Sequence, residues 1–294
     1  MGRDAKAESP TSKGKGRYAE CRQIAGEVER DQIVYDGEEM KIKVLGCSGA
    51  EFPGHHLSAF LLDGRFLFDA GTLNNVLNEK DQSKVENIFI THTHMDHIRE
   101  IPFLADNIIT GGRKRRVDIF SISPVLKTIK NDLLNSKLWP DMTVLPNDHD
   151  AVLRLIPVKA GRSHRIENYI VTPYKVNHSV PAVGYLVEDR RRRRFFYTGD
   201  TGPTDTTWEK VGEKQIHCLI IEVTFPNHLE QKAITTGHLT PKLLKNELSR
   251  IKVMPERIYI THLKPQFYKT IKMELQRLRI ESLALLKEGQ IISV

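Results

Sequence analysis

Thr91-His92-Thr93-His94-Met95-Asp96-His97 places three imidazoles and a carboxylate within six positions, directly after the apolar run Ile88-Phe89-Ile90. On an extended chain, residues two apart share a face, so His92 and His94 can converge on one metal ion. If the chain turns into a helix after Met95, Asp96 and His97 are carried toward a second point close by. One zinc ion takes three or four protein ligands. Four candidates here, with more downstream, suit half of a two-metal site. Surface histidines ahead of a helix seldom combine two alternating imidazoles, a carboxylate and a third imidazole.

Further ligands are expected at other strand ends, where a sheet can hold them around one cavity. Four segments qualify. Asn177-His178-Ser179 follows the β-like Ile170-Val171-Thr172. Tyr197-Thr198-Gly199-Asp200-Thr201 ends a strand with a carboxylate in a glycine turn. Arg257-Ile258-Tyr259-Ile260-Thr261-His262 repeats the strand-then-Thr-His form of Thr91-His92. Gly237-His238-Leu239 stands just before a capped helix.

The elements that must position these residues begin near Met40. Ile42-Lys43-Val44-Leu45, Ala59-Phe60-Leu61-Leu62 and Phe66-Leu67-Phe68 read as strands, with turns at Gly46-Cys47-Ser48-Gly49 and Asp63-Gly64. Val85-Glu86-Asn87-Ile88-Phe89-Ile90 reads as a buried strand. Ser123-Pro124 and Thr240-Pro241 each give an N-cap followed by proline at the first helical position. Val125, Ile129 and Leu133 repeat on one face of the first helix, and Leu244, Leu248 and Ile251 on the inner side of the second. The longest helix is expected from about Ile271 to Lys287, ending at Gly289, before a short strand Ile291-Ile292-Ser293-Val294. This mixture implies sheets covered by helices. Residues 1–38, polar and without a sustained period, read as a partly disordered tail, and 39–294 as one catalytic domain.

The bulk composition excludes several classes. At 294 residues, 39% hydrophobic and 28% charged, the chain can fill a core. Its apolar runs are strand-sized and its N-terminus is polar, so no membrane span or signal peptide is expected and the cytoplasm is the expected compartment. Cys21, Cys47 and Cys218 are odd in number and widely spaced, which suits buried reduced thiols rather than a disulfide framework or a zinc knuckle. The net charge of +7 resides largely in Arg113-Lys114-Arg115-Arg116 and in Arg190 to Arg194. The second run lies between two β-like segments and reads as a solvated hairpin tip. Attraction of a phosphorylated substrate is the alternative for both.

Together the ligand segments resemble the metallo-β-lactamase superfamily over roughly residues 40 to 294. The resemblance implies an αβ/βα sandwich, an α/β fold with two facing mixed sheets and helices outside. It also implies a ligand set: His92, His94 and His178 for one metal, Asp96, His97 and His262 for the other, and Asp200 bridging them. Asp69, in Phe68-Asp69-Ala70-Gly71, matches a position that supports the histidine loop from behind. Two divalent ions are implied. Zinc is the expected metal, and iron or manganese accepts the same donors.

Within the superfamily, Ile221-Glu222-Val223-Thr224-Phe225, Gly237-His238-Leu239-Thr240-Pro241 and Thr261-His262-Leu263-Lys264 are similar to the class II cyclic-nucleotide phosphodiesterases. So are Asn135-Ser136-Lys137-Leu138-Trp139-Pro140-Asp141 and Gly46-Cys47-Ser48-Gly49. The implied reaction opens a 3′,5′-cyclic nucleotide to the 5′-monophosphate by a two-metal mechanism. His238, not needed as a ligand, is assigned to the leaving oxygen, with Glu222 setting its tautomer and Asp96 also counted among the catalytic groups. A helix-cap or packing role is the alternative for His238. Lys264 and His56 (with its neighbour His55) are weaker candidates for substrate contact, against plain surface roles.

The tRNA 3′-processing endonucleases are the competing branch. They carry Gly-His-Ser-Thr where this chain has Gly237-His238-Leu239-Thr240, and a Gly- and Pro-rich arm that is not visible here. A nucleic-acid substrate is therefore the second expectation, and a non-catalytic metal-binding protein the third. The substrate expected first is a small-molecule cyclic nucleotide, and a homodimer is left open.

Overall fold

The computed structural model describes residues 39–112 and 114–294. The reading of residues 1–38 as a tail, together with Cys21 and Arg113, lies outside them.

Fourteen strands, numbered in chain order, form two seven-stranded sheets among the described residues. The first contains β1 (Lys41–Gly46), β2 (Ala59–Leu62), β3 (Phe66–Phe68), β4 (Asn87–Phe89), β5 (Val117–Ser121), β6 (Leu153–Pro157) and β14 (Ile291–Ser293), in the order β14-β1-β2-β3-β4-β5-β6. The second contains β7 (His164–Ile166), β8 (Tyr169–Lys175), β9 (Val183–Glu188), β10 (Arg194–Tyr197), β11 (Cys218–Glu222), β12 (Arg257–Thr261) and β13 (Leu283–Leu285), in the order β13-β12-β11-β10-β9-β8-β7. Each sheet is antiparallel on one side and parallel on the other: β3 to β6 run parallel in the first, β10 to β13 in the second.

Parallel neighbours need a crossover, and a helix usually supplies it. Every crossover here contains one, including Ile101–Thr110 between β4 and β5, Pro241–Leu248 between β11 and β12, and Tyr268–Gln276 between β12 and β13. These helices cover the outer faces. Ile101, Leu104 and Ile108 pack on the first sheet, and Leu244, Leu248, Ile271 and Leu275 on the second. Between the sheets, Phe60, Phe68 and Phe89 meet Tyr185, Phe195 and Tyr197. The layering is αβ/βα.

The parallel strands share a direction, so their C-terminal ends open at one rim of the sandwich. β3 leads into Asp69, β4 into Thr91 to His97, β10 into Asp200 and β12 into His262, while β11 ends on Glu222. β8 runs antiparallel to β9, as β10 does, so its C-terminal end and His178 also reach that rim. Strand direction thus gathers residues from 69 to 262 at one place.

The long helix expected from Ile271 to Lys287 is not formed. The helix is Tyr268–Gln276, Arg279 takes a left-handed φ of 53°, and Leu283–Leu285 becomes an edge strand pairing with Ile258–Ile260. The free parallel edge of β12 outcompetes a helical pattern that β-pairing residues can equally satisfy. Thr240 does cap its helix, accepting from Leu243 N at 3.3 Å. The arginine run is a β9–β10 hairpin, at the opposite end of β10 from Asp200. Arg190, Arg191 and Arg192 are exposed, and Arg193 and Arg194 pair with Asp189 and Glu188. Arg115 and Arg116 donate to main-chain carbonyls of Val85 and Ala151. No helix among the described residues is long and apolar enough to cross a membrane.

Candidate metal centre

The first half of the site is built on Asp69. Its φ of 56° is left-handed, a conformation that aspartate tolerates better than most residues. That bend aims a fully buried carboxylate beneath the histidine loop. The carboxylate accepts from Thr91 N at 2.8 Å, from the Thr91 hydroxyl at 2.8 Å, from His97 Nδ1 at 2.7 Å and from the Tyr197 hydroxyl at 2.8 Å. Tyr197 reaches it from the facing sheet, so one buried carboxylate ties both sheets to the loop. The helix Met95–Ile98 begins at Met95 and separates Asp96 and His97 from His92 and His94.

Three groups of possible ligand atoms result, one of them Glu222, His238 and His262 at the rim; the other two meet at one carboxylate. His92, His94, His178 and Asp200 offer atoms all within 4.8 Å of one another, and so do Asp96, His97, Asp200 and His262. Asp200 belongs to both. Its Oδ2 lies 3.7 Å from His92 Nε2, 3.4 Å from His97 Nε2 and 3.4 Å from His262 Nε2. His262 Nε2 is also 3.3 Å from Asp96 Oδ2. His178 donates from Nδ1 to the Gly237 carbonyl at 2.8 Å, which leaves Nε2 as a bare lone pair 3.2 Å from His94 Nδ1.

The second half is built on Glu222, equally buried. It accepts from His238 Nδ1 at 2.7 Å and Thr201 N at 3.0 Å on one oxygen, and from the Thr224 hydroxyl at 2.6 Å on the other. Thr224 in turn lies 2.9 Å from His262 Nδ1. Burial opposes a charge on His238, but Glu222 beside it prevails and raises the imidazole to about 9. Burial likewise opposes charge on Asp200, yet the imidazoles of His262 and His97 hold it well below the usual carboxylate range.

These donors fit divalent cations on a direct observation. His92 Nε2, His97 Nε2 and Asp200 Oδ1 are buried without a hydrogen-bond partner among the described residues. Buried polar atoms are normally satisfied, and an unsatisfied one costs about 1–3 kcal/mol. Three such atoms, two from the segment after β4 and one from the loop after β10, converge on one place and call for a cation. Imidazole and carboxylate donors, with the second ring nitrogens of His92, His97, His178 and His262 already bonded, match the usual pattern of divalent metal ligation.

The weaker candidates are placed as follows. Lys264 donates to the Gly49 carbonyl at 3.0 Å and lies 5.8 Å from the Phe225 ring, which itself contacts His238. His56 is engaged by Glu288, 2.6 Å from its Nδ1, and belongs to neither ligand group. His55 lies 3.5 Å from the Ser48 hydroxyl. Sequence reasoning assigned no role to Thr91, Thr224, Tyr197 or the Gly237 carbonyl. For Thr224 a signal was available, since on an extended chain it shares a face with Glu222, two residues earlier.

The beta-lactamase superfamily domain matches residues 64–263, and the chain belongs to that superfamily. It is 26% identical over 227 residues to the "Probable 3′,5′-cyclic-nucleotide phosphodiesterase" of Yersinia pestis, covering 67% of this chain and 64% of that protein. It is also 26% identical over 258 residues to ribonuclease Z of Methanococcus maripaludis, covering 68% of this chain and 81% of that protein. The chain thus spans less than two thirds of the first of these relatives. Among solved structures, unliganded yeast PDE1 superposes with a TM-score of 0.74 at 17% identity, covering 87% of this chain and 99% of that one. That likeness is one of fold.

Proposed function

We propose that this chain is a metal-dependent phosphodiesterase that opens 3′,5′-cyclic nucleotides, cAMP or cGMP, to 5′-monophosphates, with zinc as the metal. The observation that carries the reading is His238. It borders the cage without being needed to complete either ligand group, and a buried carboxylate 2.7 Å away fixes its Nδ1 proton.

Bound divalent ions supply Lewis acidity toward phosphate oxygens and make water a better nucleophile. His92, His94, His178, Asp96, His97 and His262 would hold them, with Asp200 within reach of both groups. Water adds to phosphorus, the bond from phosphorus to the 3′-oxygen breaks, and His238 delivers a proton to that oxygen. Glu222 keeps the His238 ring in place and favours its protonated form. Lys264 contributes positive charge beside His238.

The similarity to the Yersinia phosphodiesterase and the Gly237-His238-Leu239-Thr240-Pro241 segment support the cyclic substrate. A second reading, hydrolysis of an RNA phosphodiester, is favoured by the comparable similarity to ribonuclease Z. Both use the same bond chemistry. A side-by-side assay of cAMP, cGMP, bis(p-nitrophenyl) phosphate and a precursor tRNA separates them. Turnover of cyclic nucleotides without tRNA cleavage is expected, and cleavage of tRNA alone sinks the cyclic-nucleotide reading.

A further inference from the structure

The two halves of the site repeat one device. In the first, the Asp69 carboxylate holds one imidazole directly, His97 at 2.7 Å, and a second through a threonine: the Thr91 hydroxyl lies 2.8 Å from Asp69 and 3.0 Å from His92 Nδ1. In the second, Glu222 holds His238 directly at 2.7 Å and reaches His262 through Thr224, 2.6 Å from the carboxylate and 2.9 Å from His262 Nδ1. All four of Asp69, Thr91, Glu222 and Thr224 are fully buried.

A hydroxyl has one proton. An ionised carboxylate only accepts, so each threonine gives its proton to the carboxylate and has only lone pairs to offer the imidazole. The imidazole must then carry its own proton on Nδ1. Nε2 is left as the lone pair, and in both histidines Nε2 is the atom that faces Asp200. A neutral imidazole selects one of two tautomers, and only this one presents Nε2 to a metal.

We propose that Thr91 and Thr224 are paired positioning residues, one for each metal, which fix His92 and His262 as Nε2 ligands by accepting their Nδ1 protons. The inference rests on the two-metal reading above. It goes further in assigning each hydroxyl to one metal alone. Thr224 then links the ion held by His262 to the same carboxylate that orients His238.

The test is Zn2+ binding to the full-length apoprotein, titrated against a chromophoric chelator. Two equivalents are expected for the wild type. Thr224→Val is close to isosteric and should weaken one of the two binding steps by about ten- to a hundredfold, and Thr91→Val the other. Thr224→Ser and Thr91→Ser keep the hydroxyl and should restore both steps. Adding Thr224→Val to a His262→Ala background should cost nothing further at that site, because the group it positions is gone. Wild-type affinity at both steps in the valine variants overturns the proposal. So does an equal loss at both sites from either valine, which would report general loosening. A wild-type protein that binds fewer than two equivalents overturns the two-metal reading, and this inference with it.

Discussion

Asp69 and His97 meet at 2.7 Å with both side chains sealed from solvent, and the same carboxylate receives three more donors from Thr91 and Tyr197. The contact fixes the proton of His97 on Nδ1 and turns Nε2 toward Asp200 and Asp96. Asp69→Asn tolerates the left-handed φ but places an amide N–H where one oxygen accepted. At least one buried donor then faces another donor, at a cost of about 1–3 kcal/mol. Metal affinity should fall about ten- to a hundredfold and the melting temperature should drop. A variant with wild-type metal affinity would show that Asp69 serves packing alone.

His238 and Asp200 should separate cleanly when replaced. His238→Ala should retain metal content and lose roughly 10²–10⁴-fold in turnover, the range for loss of a general acid. Asp200→Ala removes the carboxylate that belongs to both ligand groups and should lower occupancy at both. Elemental analysis beside steady-state kinetics checks the pair. A His238→Ala enzyme at full speed would return that residue to a packing role.

The fold leaves His92 Nε2, His97 Nε2 and Asp200 Oδ1 buried without a hydrogen bond among the described residues, so divalent metal should stabilise it by binding the native state alone. At a hundredfold excess over Kd the gain is about 2.7 kcal/mol per site. For a domain of this size that raises the melting temperature by roughly 5–10 °C. Scanning calorimetry with added Zn2+ or with a chelator reads the shift directly. An unchanged transition would argue against the cage as a metal site.

How far the sequence reaches differs between the site and the fold. His92, His94, Asp96, His97, His178, Asp200 and His262 were all readable, because each follows an apolar strand and strand direction alone decides which ends meet. The threonines were not. Each acts through a single hydroxyl: for Thr91 the buried carboxylate opposite, Asp69, comes from a different strand, and for Thr224, whose carboxylate lies two residues earlier, the imidazole it meets, His262, does. The segment 277–287 failed for another reason. Its spacing of leucines and isoleucines suits a helix, but the unpaired edge of β12 is a long-range feature that no local window contains. The pairing of His56 with Glu288 was not visible in the sequence, because the two lie 232 residues apart.

Cysteine reactivity should be low. Cys218 is packed between the sheets, and burial pushes its thiol up to about 12. Cys47, less deeply placed, is also pushed up to about 12, by burial and by the charge of Glu288. Each should alkylate about a thousandfold more slowly than an ordinary thiol at pH 8 through thiolate fraction alone, and Cys218 slower still through lack of access. Iodoacetamide labelling of native and denatured protein, read by mass spectrometry of the cysteine peptides, measures the ratio. Rapid labelling of Cys218 in the native protein would contradict the buried placement.

Gly237 offers a test of how tightly the loop before His238 supports the other side of the cage. Its φ of 71° lies where side chains are strained, and a Cβ there would stand 2.9 Å from the His178 Cα and 3.0 Å from its Nδ1. The Gly237 carbonyl also accepts the Nδ1 proton of His178. Gly237→Ala must therefore displace the imidazole, the carbonyl or both, and backbone atoms on each side leave little room to yield. The expected result is a loss of affinity at the metal held by His92, His94 and His178, with the His262 side less affected. Because Gly237 precedes His238, turnover should fall by more than the metal loss alone explains. Titration of Zn2+ beside kinetics at saturating metal distinguishes the two effects. A Gly237→Ala protein with wild-type values of both would mean that the loop moves freely and holds neither histidine in place.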